Sequence, residues 1–114
     1  MNTFLPLTHA TQSRLAAICR ANAVRGLYLF GSALTERFDQ KHASDLDFYV
    51  EMEAPLPPLE RGENLLRLWN ELESLFGRPV DLLTDTAVQN PFLLRQINST
   101  KVLLYDGTSQ EILV

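Results

Sequence analysis

Four short apolar runs constrain this chain most: Leu27-Tyr28-Leu29-Phe30, the alternating Leu46-Asp47-Phe48-Tyr49-Val50, Val80-Asp81-Leu82-Leu83 and Val102-Leu103-Leu104-Tyr105. Each is too short for a buried helix and is bounded by Gly, Pro, Asp or polar residues, so each reads as a strand. Between the second and third, Gly62, Leu65, Leu66, Trp69, Leu72, Leu75 and Phe76 recur at helical spacing until Gly77 and Pro79 stop them. That stripe is the expected cover of one sheet face, with Trp69 and Phe76 in the core rather than stacked on a base. Pro55, Pro57 and Pro58 form a stiff connection into it.

Shorter helices complete the order. Thr8 or Thr11 can cap a first helix running to about residue 23, with Leu15, Ile18, Cys19 and Leu7 inward and Arg25-Gly26 as its breaker. Ser32 can cap a short helix through Arg37, and Pro91 opens another to about Asn98. The expected succession is α-β-α-β-α-β-α-β. It specifies an α/β or α+β fold, a small mixed β-sheet with helices packed against it, in one domain spanning residues 1–114. The short link from Gly31 to Ser44 leaves strand direction open.

Composition narrows the function. Ten Lys and Arg against fourteen Asp and Glu give a net charge of -4, which argues against a non-specific grip on duplex nucleic acid. No run of 18 apolar residues occurs and the N-terminus has no basic segment followed by an apolar core, so a soluble cytoplasmic protein is expected, without membrane contact. The lone Cys19 cannot form an internal disulfide, and with His9 and His42 it makes a poor zinc set. Cys19 reads as core. Arg14, Arg20 and Arg25 read as a solvated face.

The chemistry gathers around residues 31–50. Asp45 and Asp47 flank Leu46, so on a strand both point the same way with Cα atoms roughly 6.6 Å apart. Two carboxylates at roughly 5 Å repel by about 3 kcal/mol at an effective dielectric near 20. A cation, a proton or ample water must offset that. Magnesium, which combines one or two carboxylates with substrate phosphates, suits the pattern better than zinc. Asp81 becomes a third member if its strand lies beside theirs; otherwise it is a strand-end residue. Gly31 permits close backbone approach, and Ser32 with the amides at a helix start can donate to phosphate oxygens, although a turn with a serine cap would look the same. Tyr49 shares the face of the paired aspartates and can flank a nucleotide or pack at a sheet edge.

Three motifs in order, Leu29-Phe30-Gly31-Ser32, Ser44-Asp45-Leu46-Asp47-Phe48-Tyr49-Val50 and Gly77-Arg78-Pro79-Val80-Asp81-Leu82-Leu83, resemble the minimal nucleotidyltransferases of the DNA polymerase beta superfamily. The resemblance spans about residues 26 to 106. It implies the polymerase beta-like nucleotidyltransferase fold and transfer of a nucleoside monophosphate from a nucleoside triphosphate, ATP first among them, with Mg2+ or Mn2+. It assigns Gly31 and Ser32 to the phosphates, Asp45 and Asp47 to the metal ions, and Asp81 to the third carboxylate, which serves the acceptor hydroxyl. One segment departs from the family pattern. Where relatives often carry Ala-Arg-Gly, this chain has Ala33-Leu34-Thr35-Glu36-Arg37. Glu36 would repel a triphosphate if it pointed inward, whereas Arg37 either supplies a cation to the phosphates or pairs with Glu36 or Asp39.

Stand-alone domains of this kind are often antitoxins of small helical HEPN-type toxins, and some transfer adenylate to a toxin tyrosine. The resemblance therefore implies a hetero-oligomer with such a partner. The alternatives are a catalytically weak antitoxin that acts by steric binding, and a nucleotide-sensing domain.

Overall fold

The computed structural model describes residues 8–31, 46–84 and 89–107. Its elements run α1 (His9–Ala21), β1 (Val24–Phe30), β2 (Leu46–Met52), α2 (Pro58–Phe76), β3 (Val80–Thr84), α3 (Pro91–Thr100) and β4 (Val102–Asp106). The helix expected from Ser32 to Arg37 lies outside the described residues.

The strands form one sheet in the order β3-β2-β1-β4. β1 runs antiparallel to both β2 and β4, and β2 runs parallel to β3. Strand direction, which the sequence leaves open, follows from the connections. A parallel neighbour needs a long crossover, and the segment between β2 and β3 holds α2, the longest helix. The architecture is the small mixed sheet with flanking helices that the sequence predicts.

α1 starts where Thr8 accepts a hydrogen bond from the Thr11 amide at 3.2 Å, which settles the choice between the two threonines. Its end differs from expectation. The helix stops at Ala21, Ala23 turns the chain at φ 61°, and β1 begins at Val24, so Arg25-Gly26 lies inside a strand instead of breaking the helix. Asn22 makes this sharp turn stable. Fully buried, it donates to Ile18 O at 2.9 Å and to Glu71 Oε1 at 2.7 Å on α2, and accepts from Arg67 at 2.9 Å. A buried amide that meets its donors and acceptors in this way clamps α1 onto α2.

The main core lies between the sheet and the α1–α2 pair. Leu15 and Cys19 of α1, Leu68 and Leu72 of α2, and Leu27, Leu29, Leu46, Phe48, Val50 and Val80 of the strands are buried there. Phe76 stacks on Phe48 with ring centroids 5.8 Å apart. The α2 stripe sits rotated from the predicted one. Leu68, absent from the expected pattern, is buried, whereas Leu66 is 62% and Trp69 38% exposed. Trp69 is therefore no core residue: its indole N–H donates to Glu73 Oε2 at 3.2 Å on the helix surface. Cys19 is core as expected, and burial pushes its thiol pKa up to about 12, which keeps it protonated and unreactive. α3 covers part of the opposite sheet face. There Ile97 packs with Tyr49, against Tyr28, Phe30, Leu83 and Leu94.

Candidate functional site

Period-two alternation along β2 sends Leu46, Phe48 and Val50 into the main core and turns Asp47, Tyr49 and Glu51 to the other face. β3 does the same, with Val80 and Leu82 inward and Asp81 exposed on the face of Leu83. In the parallel ladder Asp47 and Asp81 are direct neighbours. Their Cα atoms are therefore about 4.8 Å apart, and both carboxylates rise from one face at one end of the sheet.

That register is built, not incidental. Gly77 ends α2 in the left-handed conformation at φ 68°, its amide bonded to Glu73 O at 2.8 Å. Glu73 then turns its carboxylate to the following strand and accepts the Val80 amide at 3.1 Å. The Leu46 amide donates to Pro79 O at 3.1 Å, fixing the first rung of the β2–β3 ladder. One rung later, Asp47 meets Asp81.

Gly31 closes the third side. Phe30, the last residue of β1, pairs with Asp47, and Gly31 follows at φ 86°. A Cβ placed on Gly31 would run into Oδ2 of Asp47. Only glycine fits here, for its backbone angle and for the room it leaves the carboxylate. The structure thus brings together Gly31, Asp47 and Asp81. Ser32, Arg37 and Asp45 lie outside the described residues, as does Glu36.

Two neighbouring carboxylates beside an open glycine bend are a hard-oxygen donor set, which fits a magnesium or manganese ion. Among the described residues no group of three His, Cys, Asp or Glu side chains forms a metal set; Asp45, the remaining expected ligand, is not among them.

Tyr49 is buried under α3 on an inner strand, so it packs, though not at a sheet edge. Its ring lies 6.1 Å from that of Tyr28. Burial, then the Glu51 carboxylate, raises the pKa of the Tyr28 phenol, whose hydroxyl donates to Glu51 Oε1 at 3.4 Å. Two residues near the site carry no motif that could have marked them in the sequence. Glu73 looks like one more polar position on an amphipathic helix. Lys101 stands between α3 and β4, its ammonium 4.1 Å from the Tyr28 ring centroid and 5.1 Å from that of Tyr49.

Comparison with known proteins gives a family and a fold. The family model described as polymerase beta, nucleotidyltransferase matches residues 13–110. A Methanocaldococcus jannaschii protein, MJ1217, whose name gives protein adenylyltransferase as its inferred activity, is 31% identical over 81 residues, covering 71% of this chain and 76% of its own. Two solved structures share the fold. A toxin-antitoxin with AMP-PNP superposes with a TM-score of 0.61 at 23% identity, over 90% of this chain and 78% of the other. An MNT antitoxin in complex with a tri-AMPylated Shewanella oneidensis HEPN toxin gives 0.56 at 22% identity, over 92% and 77%.

Proposed function

The chain belongs to the polymerase beta nucleotidyltransferase family, and from that premise we propose that it transfers AMP from ATP to a hydroxyl on a partner protein, a small helical HEPN-type toxin that it neutralises. Residues 1–114 act as one minimal catalytic domain. The observation that carries the proposal is the in-register pairing of Asp47 with Asp81 beside Gly31. The adenylyltransferase name of MJ1217 and the AMPylated HEPN toxin support this choice of substrate and partner.

Asp45 and Asp47 would hold Mg2+ or Mn2+, with Asp81 as the third ligand. When bound, the divalent ions neutralise the triphosphate and polarise its α-phosphate. Gly31 and Ser32 would seat the phosphates, and Arg37 would supply a further cation. Asp81, exposed beside Asp47, accepts the proton of the acceptor hydroxyl. The hydroxyl oxygen bonds to the α-phosphorus, the α–β bridging P–O bond breaks and pyrophosphate leaves. The net charge of -4 is compatible with this because only the local field has to suit a triphosphate.

Label from α-labelled ATP should pass to the co-purified partner in the presence of Mg2+. The Asp47→Asn and Asp81→Asn proteins should each lose at least about 100-fold in rate while still binding the partner, as expected when a transition-state contact is removed. Absence of transfer by the intact complex, with ATP and each of the other nucleoside triphosphates, would overturn the reading. Glu36, which replaces the family glycine, favours a second reading: a steric antitoxin. On that reading the Asp45→Asn, Asp47→Asn protein neutralises its toxin as well as the parent does.

A further inference from the structure

Beyond the carboxylates and the glycine bend, the face that carries Asp47 and Asp81 also holds a lysine over its tyrosine pair. Lys101 caps the C-terminus of α3, with its amide bonded to Ile97 O at 2.8 Å, and Val102 immediately after it starts β4 and pairs with Leu29. The main chain is thus fixed on both sides. Continued by one residue, that register would set Lys101 opposite Phe30, which itself pairs with Asp47, which pairs with Asp81. Lysine and both carboxylates therefore stand in one row across the end of the sheet, and the ammonium lies over Tyr28 and Tyr49 on the same face.

Among the described residues the charge on Lys101 is held but not neutralised. Its ammonium donates to Asn98 Oδ1 at 2.9 Å and rests against two aromatic faces, and among the described residues no carboxylate forms an ion pair with it. Cation–π contacts keep a lysine in place while leaving its charge available to an anion. Two strand spacings separate its Cα from that of Asp47, roughly 10 Å. A lysine stem reaches about 6 Å, and a triphosphate on an Asp47-bound ion extends several ångströms outward, so the two ranges overlap. We propose that Lys101 binds the triphosphate of the incoming nucleotide, swinging from the tyrosine pair to the phosphates as the nucleotide seats. The inference rests on the nucleotidyltransferase reading above and adds to it a substrate-binding residue outside the three sequence motifs.

The test compares the parent, Lys101→Met and Lys101→Arg proteins in complex with the partner. Methionine keeps an apolar stem on the tyrosine rings, so melting temperatures without nucleotide should agree within about 2 °C. ATP affinity is measured by calorimetry with Mg2+, and the KM for ATP from label transfer. Lys101→Met should weaken ATP binding and raise KM about tenfold with kcat within about twofold, the size expected for losing one charge-assisted contact. Lys101→Arg should recover most of the loss, and the affinity for AMP, which lacks the outer phosphates, should change by less than about twofold. A methionine protein with parental ATP affinity and KM overturns the inference, as does an arginine protein no better than methionine. If the parent binds ATP and transfers AMP while either result holds, Lys101 alone is dismissed. If the parent does neither, the nucleotidyltransferase reading fails and takes this one with it.

Discussion

The tightest constraint on the molecule is at a single residue. Gly31 combines a φ of 86°, which L side chains rarely adopt, with a hydrogen that already faces the Asp47 carboxylate. Substitution by alanine meets both penalties at once: backbone strain on the order of 1 kcal/mol or more, and a methyl group where the carboxylate lies. Relief can come only by pushing Asp47 aside. Gly31→Ala should therefore lower stability by about 1–2 kcal/mol and transfer by more than about tenfold. Denaturant melts and label transfer on the same preparation check both. A stable but inactive protein would locate the damage in the displaced carboxylate, and an unstable but active one in the backbone alone. The sequence marks the position as a glycine turn after an apolar run, although a plain turn with a serine cap would look the same, and only the downstream aspartates give it weight. What the sequence leaves unspecified is which neighbour demands the glycine. Asp47 lies sixteen positions later and meets Gly31 only because β1 and β2 pair antiparallel.

Elements align the site, and here the sequence is a poorer guide. The strands are recognisable from their composition, and the in-out alternation of β2 correctly separates Asp47 from the core. The facing of α2 is not, because Leu59, Leu65, Leu66, Leu68, Leu72 and Leu75 crowd the helix from several sides. A pattern containing apolar residues all round does not state which stripe the tertiary structure selects. Leu68 wins over Leu66 and Trp69 because the polar clamp of Asn22, Asn64, Arg67 and Glu71 fixes the helix rotation against α1. Likewise nothing near Glu73 suggests a part in the site, yet its carboxylate binds the first amide of β3, one residue ahead of Asp81. Replacing Glu73 by alanine removes a charge-assisted bond and frees that strand end. A loss of about 1–2 kcal/mol is expected in denaturant melts. Transfer should fall several-fold through kcat, with the KM for ATP little changed, because Glu73 aligns Asp81 without touching nucleotide. Glu73→Gln, which keeps an oxygen acceptor, should lie between the two.

On the scale of the whole molecule, the sheet separates two tasks. Its α1–α2 face buries the leucines and Phe48 that supply most of the apolar burial, while its other face, only partly covered by α3, presents like charges side by side. Carboxylates on adjacent strands oppose folding slightly, and on the proposed reading they serve a bound ion, so stability and function should respond in opposite directions to the same substitution. Asp81→Asn makes this measurable. In chelator and low salt the asparagine protein should be more stable than the parent by about 0.2–1 kcal/mol, since a like-charge neighbour of Asp47 is gone. Adding Mg2+ and ATP should raise the melting temperature of the parent in proportion to occupancy, and that of the asparagine protein far less, so the two melting curves exchange order as ligand is titrated in. Raised ionic strength should shrink the difference in chelator, because the repulsion acts between groups near solvent. A parent that is more stable than Asp81→Asn under every condition would mean that the Asp81 charge already serves the fold, and the division of labour between the two sheet faces would be wrong.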